Sequence, residues 1–266
     1  MDRTGLRDLA ERYRRDGFLS PVRLFSPEAA ADHRRRMEAA EAEIGPLHYR
    51  VKTHTFLRSP LELATAPQVL DIVEQLIGQD ILLYNATYIV KEPRTADHVS
   101  WHQDLTYWGL SRDDQVSLWL ALSPATAESG CMRMLPGSHR QGRIEHRTTH
   151  DATNLLFQGQ TVDSVAEEQA VSCPLMPGEA SFHHGWTLHA SLPNRSRDRR
   201  IGLNVQYLAA QLRQTKQDGD SAMLVRGHDR YRHFAADLPA EADLDPAAMA
   251  RQAALEARYR AIAGTA

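Results

Sequence analysis

The stretch "RIGLNVQYL", residues 200–208, alternates between two kinds of side chain. Successive residues of a β-strand point to opposite faces, so one face would be apolar: Ile201, Leu203, Val205 and Tyr207. The other face would carry small or polar side chains: Arg200, Gly202, Asn204 and Gln206. This pattern is typical of a strand that packs outward against a core and lines a wet cavity inward. It is equally typical of a sheet with one solvent face.

A second stretch, "VSLWLAL" at residues 116–122, shows the same alternation. Its apolar face would hold Val116, Leu118, Leu120 and Leu122, and its other face Ser117, Trp119 and Ala121. Further short segments rich in β-branched or aromatic residues occupy 81–90 and 178–185, with Gly or Pro between them. Several short strands of this kind predict a β-sandwich or a barrel.

Helical patterns flank these strands. Residues 4–44 have apolar residues at helical spacing, and Ser26 and Pro27 are typical of the start of a helix. Within 46–210 we expect strands and loops with one intervening helix at 66–78. Residues 211–266 turn polar and then helical from Asp245-Pro246 to Gly264. We therefore expect one domain over 1–266, with an N-terminal helical region (1–45), a β core (46–210) and a C-terminal helical tail (211–266).

Bulk composition excludes several classes of protein. The chain has 266 residues and a net charge of −3, so no basic field indicates nucleic acid. No apolar run approaches the roughly 20 residues of a membrane span, and the N-terminus does not resemble a secretion signal. Cys131 and Cys173 form no disulfide framework, so we expect a reducing, cytoplasmic setting. Nothing in the composition indicates an oligomeric state.

A candidate metal motif lies in "SWHQDLTYWGL", residues 100–110, where His102 and Asp104 stand two apart. At a strand end both side chains would point to the same side. The pair alone is weak, because 13 His and 34 acidic residues in 266 yield about two such pairs by chance. A third ligand would have to come from His183, His184 or His189. Two His and one Asp leave the remaining metal positions open, as in non-haem Fe(II) oxygenases.

A binding site for a cosubstrate would strengthen the case that His102 and Asp104 bind a metal. A bidentate 2-oxo acid carries a distal carboxylate, and the planar fork of arginine suits a carboxylate best. Arg200 opens the strand after His189, across the turn "LPNRSRDRR". A hairpin at this turn would bring its side chain near the ligand face.

The chain resembles the phytanoyl-CoA dioxygenase family of Fe(II)/2-oxoglutarate oxygenases. The matching pieces are "HQDLTYW" (102–108), "WLALSPATAESGCMRMLPGSH" (119–139) and "HASLPNRSRDRRIGLNVQYL" (189–208), in family order and spacing. The N-terminal "YRRDGFLSPVRLFSPEAA" (13–30) resembles the family's opening helix and strand. The resemblance covers roughly residues 5–210.

This resemblance implies a double-stranded β-helix, the jelly-roll or cupin-like fold, and assigns residue roles. It places the metal ligands at His102, Asp104 and His189, and 2-oxoglutarate binding at Arg200, assisted by Ser191. Two further aromatic residues are carried over as cofactor-binding: Trp119 as a pocket wall, and Tyr84 on the strand before the metal motif. Family members that halogenate have Ala or Gly at the carboxylate position, so Asp104 favours hydroxylation.

Substrate contacts are expected in three places. Gln103 and Thr106 stand beside the ligands in sequence. Three amide side chains could point inward: Asn85, Asn204 and Gln206. The tail segment "LVRGHDRYRHF" (224–234) could fold over the pocket mouth, where Arg226 and His228 would contact an anionic substrate.

The sequence therefore predicts an Fe(II)- and 2-oxoglutarate-dependent dioxygenase that uses O2 to hydroxylate a small molecule, in secondary metabolism. Two other classes stay open: a non-catalytic metal-binding jelly roll, and a metal-dependent hydrolase with the same ligands. Arg200 and Ser191 argue against both, since neither needs a cosubstrate pocket. A serine hydrolase is disfavoured because no G-x-S-x-G motif is present. The sequence does not identify the substrate.

Overall fold

The structure, a computed structural model, describes residues 3–156 and 159–264. Its helices are α1 (Arg3–Asp16), α2 (Pro27–Ile44), α3 (Arg58–Ala64), α4 (Pro67–Ile77), α5 (Leu105–Trp108) and α6 (Pro246–Gly264). Its strands are β1 (Phe18–Arg23), β2 (Ile81–Lys91), β3 (Val99–His102), β4 (Gln115–Ala121), β5 (Met132–Met134), β6 (Arg147–Thr148), β7 (Gln160–Thr161), β8 (Val171–Cys173), β9 (Glu179–His184), β10 (His189–Ser191), β11 (Arg200–Ala209), β12 (Ser221–Arg226) and β13 (Ala235–Ala236). Short 3-10 helices lie at Thr53–Thr55, Ser138–Gln141 and Glu167–Gln169.

Two sheets form the jelly roll. The larger has seven strands in the order β1-β9-β4-β11-β2-β12-β13, and the smaller has four in the order β3-β10-β5-β8. The strands pair antiparallel except for β12 with β13. Residues of both sheets line one cavity, among them Trp119 and Asn204 from the larger sheet and His102 and Met132 from the smaller. The predicted mainly β fold with helices at both ends is confirmed.

The alternation in β4 and β11 separates a face that packs in the core from a face that lines the cavity. Their apolar side chains all belong to the main hydrophobic core: Val116, Leu118, Leu120, Leu122, Ile201, Leu203, Val205 and Tyr207. Helix α4 buries Val69, Ile72 and Val73 in the same core, so the helices cover this side of the sheet. The opposite face turns Trp119, Asn204 and Gln206 into the cavity. Of the two interpretations of the pattern, the strand that lines a cavity is therefore the observed one.

The helix starts follow local chemistry. Ser26 accepts a hydrogen bond from the backbone N–H of Ala29 at 3.2 Å, and Pro27 opens α2, as predicted. In the described ranges, no helix is both long enough and apolar enough to cross a membrane.

Two strands lie outside the residues expected to form the core. β1 falls in the N-terminal region whose periodicity predicts helix, although the family resemblance implied a strand there. It pairs with β9, placing Leu19 opposite Phe182. β12 falls in the predicted helical tail and pairs with β2, placing Met223 opposite Leu83. Both strands supply partners for backbone groups that would otherwise be unpaired at the sheet edges, a long-range requirement that local periodicity does not report.

The core also contains more helix than expected. One intervening helix was predicted, and α3 and α5 are present in addition to α4. Both are short, and α3 buries Leu63 and Ala64. Tertiary packing stabilises such single-turn or two-turn helices, which are marginal on propensity alone.

Candidate metal centre and adjoining cavity

Three side chains come together in the cavity that both sheets line. His102 ends β3, Asp104 precedes α5, and His189 begins β10. β3 and β10 pair antiparallel with His189 opposite His102, which places the two ring centroids 4.1 Å apart. One ligand atom from each of the three residues lies within 4.8 Å of the others. Within 3–156 and 159–264, this is the group of His, Cys, Asp or Glu residues whose geometry suits a metal ion.

The backbone fixes the orientation of both imidazoles. Nδ1 of His102 lies 2.9 Å from the carbonyl oxygen of Ser100, and Nδ1 of His189 lies 3.0 Å from that of Thr187. A carbonyl only accepts, so each Nδ1 carries the proton and donates it. Each Nε2 therefore keeps its lone pair, and the two Nε2 atoms lie 3.5 and 3.8 Å from Oδ1 of Asp104. This is the arrangement that metal-binding histidines use.

The other carboxylate oxygen of Asp104, Oδ2, is held by Ser117 and His183. Ser117 Oγ donates a hydrogen bond to Oδ2 at 2.8 Å, and Nε2 of His183 lies 3.2 Å from the same atom. Because Oδ2 only accepts when the carboxylate is ionised, His183 is the donor in this contact. Oδ1 is left facing the two ligand imidazoles.

Charge states at the cluster also suit a metal. Burial alone would raise the pKa of Asp104, but the surrounding imidazoles of His102, His183 and His189 hold it well below its usual range. Burial lowers the pKa of His189 well below its usual range, and the neighbouring His102 and His183 lower it further. At neutral pH Asp104 is therefore an anion and His189 a neutral imidazole, the protonation states that metal ligation requires.

The cluster opens into a cavity of about 350 Å³, a volume that suits a small molecule. The cavity extends along β11 from Arg200 to Gln206, six residues further on, where Gln206 contacts Tyr259 of helix α6. His102, Asp104 and His189 line it as well. Aromatic and aliphatic side chains form much of its wall: Tyr49, Val51, Ile89, Val99, Tyr107, Trp108, Trp119, Met132, Leu155, Leu156 and Tyr259.

Arg200 is buried at the far end of this cavity. It is 1% exposed, its Nη1 donates to the carbonyl of Gly130 at 2.6 Å, and its guanidinium lies 5.0 Å from the centroid of the Trp119 ring. Its Nε has no hydrogen-bond partner. Burial lowers its pKa to about 10, so it is still a cation at neutral pH. A buried cation without a carboxylate partner is costly, and an anionic ligand would remove that cost.

Lys91 lies beside Arg200, at the paired position on β2. Its Nζ donates to Ser191 Oγ at 2.7 Å and to the carbonyl of Leu192 at 2.6 Å. Burial and the charge of Arg200 lower its pKa to about 6. Since Ser191 Oγ accepts this bond and Ser191 also lines the cavity, its hydroxyl hydrogen is left to donate to a ligand.

Trp119 covers Gly202 on the neighbouring strand. A Cβ atom built on Gly202 would lie 2.0 Å from Cζ2 of the indole, so a larger residue cannot occupy this position without moving the ring. Gly202 therefore leaves the space that the Trp119 ring occupies beside Arg200.

Six of the predicted cofactor and substrate residues line the cavity: Arg200, Ser191, Trp119, Asn85, Asn204 and Gln206. Tyr84 is placed differently. The pairing of β2 with β11 shifts register at this residue, and its hydroxyl donates to Oδ2 of Asp220 at 2.8 Å. Its ring packs 5.8 Å from that of Tyr259. The register shift re-aims the side chain, so Tyr84 supports α6 and is not among the cavity-lining residues.

Gln103 and Thr106 do not reach the cavity either. Gln103 is fully buried and ties loops together: its Nε2 donates to the carbonyls of Gly142 and Trp186 at 2.8 and 2.9 Å. Alternation explains this, because Gln103 points away from the face shared by its two neighbours in the H-x-D motif. Thr106 lies 3.5 Å from His146, on the same outer side.

The tail segment 224–234 is also placed differently from the expectation. Nη1 of Arg226 lies 2.8 Å from carboxylate oxygens of both Asp71 and Glu74 on α4, and the backbone N–H of His228 donates to Asp80. These pairs hold the segment on the helix-covered side of the sheet, away from the cavity. The part of the tail that does reach the cavity is α6, which contributes Tyr259, Arg260 and Ala263.

Several site residues escaped the sequence reasoning. Ser117 stood on the polar face of "VSLWLAL" and could have been found from that pattern. The sequence predicted His183 only as one of three alternatives for the third ligand. No sequence pattern indicated that Lys91 or Tyr259 would lie at the site. The position of Lys91 depends on strand register, and that of Tyr259 on the docking of α6.

A family model described as phytanoyl-CoA dioxygenase matches residues 13–202, a range that contains the three candidate ligands and Arg200. Among curated relatives, the probable alpha-ketoglutarate-dependent hypophosphite dioxygenase of Stutzerimonas stutzeri is 29% identical over 66% of this chain and 62% of its own length. L-proline trans-4-hydroxylase of Streptomyces griseoviridis is 25% identical over 76% of this chain and 86% of its own. Alpha-ketoglutarate is another name for 2-oxoglutarate.

Solved structures share the fold over nearly the whole chain. The apo form of the non-heme monooxygenase ThoJ superposes with a TM-score of 0.86 at 29% identity, covering 97% of this chain and 98% of that one. The jelly roll and its flanking helices are therefore shared as a unit.

Proposed function

The chain belongs to the phytanoyl-CoA dioxygenase family, and we propose that it is a non-haem Fe(II)- and 2-oxoglutarate-dependent dioxygenase that oxidises a C–H bond of a small molecule. One observation carries the proposal. The His102, Asp104 and His189 cluster opens into the same cavity as Arg200, a buried cation with an unpartnered Nε. A metal site and an anion site within one cavity are what a chelating 2-oxo acid with a distal carboxylate requires.

The residues present fit both groups. His102, Asp104 and His189 would hold the ion through two imidazole nitrogens and one carboxylate oxygen, the mixed set that suits Fe(II). The distal carboxylate would meet the Arg200 guanidinium and the Ser191 hydroxyl, while Lys91 orients that hydroxyl. The Trp119 indole lines the same cavity and lies 5.0 Å from the Arg200 guanidinium, against which it would position the cosubstrate.

In the mechanism, the bound iron and 2-oxoglutarate would together supply O2 activation and C–H oxidation. The protein's part is orientation. Ser117 and His183 hold Oδ2 of Asp104, so that Oδ1 alone faces the ligand position. Arg200 fixes the cosubstrate end of the cavity, and the aromatic wall at Tyr107 and Trp108 excludes water from the reacting centre.

Hydroxylation is the outcome we propose. Asp104 fills the third protein ligand position, which a halide would need to occupy in a halogenating enzyme. A metal-dependent hydrolase could use the same three ligands, but it would leave the Arg200 end of the cavity without a role.

The substrate we propose is a small molecule of secondary metabolism, and the compartment a reducing cytoplasm. The cavity volume supports a small-molecule substrate. Cys131 and Cys173 support a reducing compartment, since both are buried free thiols.

Anaerobic titration with Fe(II) and 2-oxoglutarate tests this proposal. We expect a weak metal-to-ligand absorption band in the visible range, which marks chelation of the 2-oxo acid by the metal. The band should be lost in His189→Ala and should need far more 2-oxoglutarate in Arg200→Ala. Arg197→Ala, an exposed arginine of the same turn, is the matched control and should behave as wild type. If the protein binds one equivalent of Fe(II) but shows no band with 2-oxoglutarate, the oxygenase assignment is wrong.

A further inference from the structure

The cavity has two ends of different origin. The metal ligands and Arg200 lie within the part of the chain shared with the family, residues 13–202. Gln206 and the α6 residues Tyr259, Arg260 and Ala263 come from beyond it and line the opposite end. The family model therefore does not cover the residues that line the cavity near α6.

Strand register places two amide side chains at the level of the metal ligands. Gln206 on β11 pairs with Asn85 on β2 and with Ser117 on β4. Ser117 pairs in turn with His183 on β9. Ser117 and His183 both contact Asp104, so this row of four residues crosses the sheet beside the metal cluster. A molecule held by Gln206 and Asn85 would lie next to the metal.

Helix α6 packs against this row through Tyr259. The hydroxyl of Tyr259 donates to Oε1 of Gln206 at 3.3 Å, and it lies within hydrogen-bonding reach of Asn85. The helix is fastened at both ends: Gln252 donates to the carbonyl of Val51 at 2.7 Å, and Lys216 to that of Ile262 at 3.3 Å. Tyr259 is therefore held in a defined position over the amides.

The polar groups left at this end are neutral. Oδ1 of Asn85 accepts from the backbone N–H of Lys52 at 2.7 Å, and Oε1 of Gln206 accepts from Tyr259, so both amides retain N–H donors. The hydroxyl of Tyr107 and Oδ1 of Asn204 are buried without a partner. Donors and acceptors of this kind match a group that both accepts and donates.

The charged side chains that line the cavity also favour an uncharged group near α6. Outside the metal cluster, the charged side chains among the described cavity-lining residues are Arg200 and Arg260. Arg200 lies at the far end, and Arg260 bonds to Glu256 at 2.7 Å. In the loaded protein, Asp104 and the chelating carboxylate of 2-oxoglutarate would cancel the two positive charges of Fe(II). Neither an anion nor an ammonium group beside Gln206 would then find an uncompensated partner. Burying either charge unpaired is costly.

We propose that Asn85, Gln206 and Tyr259, flanked by Tyr107 and Trp108, form a subsite for an uncharged planar amide group of the substrate, with an apolar or aromatic portion beside it. We name this the α6 subsite. The inference rests on the proposed function, because it takes the substrate to be the molecule that lies beside the metal.

Three probes of similar size and different charge test the α6 subsite: phenylacetamide, phenylacetate and phenethylamine. Each is titrated anaerobically into the protein loaded with Fe(II) and 2-oxoglutarate, and the shift of the visible band reports binding beside the metal. We expect the amide to bind about tenfold more tightly than either charged probe, since each charged probe leaves an unpaired charge.

A near-isosteric substitution sharpens the test. Gln206→Glu adds a carboxylate to the subsite, so phenethylamine should become the preferred probe and phenylacetamide should weaken by about tenfold. Gln75→Glu, an exposed glutamine on α4, is the control and should keep the wild-type order. Tyr259→Phe removes a single hydroxyl with little effect on folding and should weaken the amide by about threefold or more.

The outcomes separate the two proposals. Tightest binding of phenylacetate, an unchanged order in Gln206→Glu, or no response to any probe up to its solubility limit would each overturn the α6 subsite and leave the oxygenase assignment intact. Failure of the wild-type protein to form the band with Fe(II) and 2-oxoglutarate would overturn the proposed function itself.

Discussion

His183 and Asp104 are joined by a hydrogen bond of 3.2 Å between Nε2 and Oδ2, although 79 residues separate them in sequence. With Ser117 on the same oxygen, the bond favours a carboxylate that offers a metal one oxygen rather than two. Bidentate binding by Asp104 would close a position that the cosubstrate or O2 needs. The pair thus links strand β9 to the number of positions that would stay open at the candidate metal site.

Removing both hydrogen bonds to Oδ2 should change how the metal is bound. In the double variant Ser117→Ala/His183→Phe, we expect metal affinity to fall by about 10-fold to 100-fold, the usual effect of losing groups that orient a ligand. The visible spectrum of the Co(II)-substituted protein should also change, because coordination number sets its intensity. His184→Gln, on the same strand but off the cavity, is the control. Wild-type affinity and spectrum in the double variant would contradict this role.

Asp104→Ala should abolish function through the metal. With one of three protein ligands gone, we expect Fe(II) affinity to fall by at least about 100-fold and hydroxylation to fall by orders of magnitude. Isothermal titration with Fe(II) under anaerobic conditions measures the first effect, and succinate release measures the second. Asp113→Ala, an exposed carboxylate outside the cavity, should leave both unchanged. Full activity in Asp104→Ala would exclude this residue as a ligand.

Lys91 should impose a pH dependence on stability. Its pKa is about 6 in the folded protein, against an ordinary value of 10.5. Between these two values the unfolded chain binds more protons at this residue than the folded one, so the contribution of Lys91 to stability rises with pH across that window. The limiting slope for one group is about 1.4 kcal/mol per pH unit.

A comparison with Lys91→Met isolates that slope. Urea unfolding at several pH values from 7 to 9 should show the free energy of unfolding of the wild type rising with pH relative to the variant, since all other groups are common to both. Binding of 2-oxoglutarate should weaken by about 10-fold in the variant, because Ser191 loses the group that orients it. Parallel pH profiles would show that the folded-state pKa of Lys91 is not lowered.

Gly202 and Trp119 should behave as a coupled pair. Gly202→Ala places a methyl group where the indole lies, and we expect a loss of about 1 to 3 kcal/mol in the free energy of unfolding. Affinity for 2-oxoglutarate should fall with it, because Trp119 would shift against Arg200.

The smaller ring of Trp119→Phe should rescue part of the Gly202→Ala loss. The double variant would then be more stable than the sum of the two single effects predicts, and chemical denaturation of all four proteins measures this. Simple additivity would mean that the two residues do not contact each other.

Much of the fold and the identity of the key side chains follow from the sequence. The alternation in β4 and β11, the caps of α2 and the approximate limits of α4 and α6 are local features, set by the chain within a few residues of each position. The candidate ligands and Arg200 were proposed from spacing, from the chemistry of Fe(II) and carboxylates, and from motifs in family order. The structure places these residues around one cavity.

Tertiary structure alone decided the rest. β1 and β12 join the large sheet because its edges need backbone partners, and Arg226 stays on the outer side because α4 presents two carboxylates to it. Lys91 meets Arg200, and Gln206 meets Asn85 and Ser117, only through the pairing of strands far apart in sequence. Register shifts of a single residue reverse which face a side chain occupies. The individual side chains can therefore be nominated from sequence, but their arrangement around the cavity depends on contacts between distant parts of the chain.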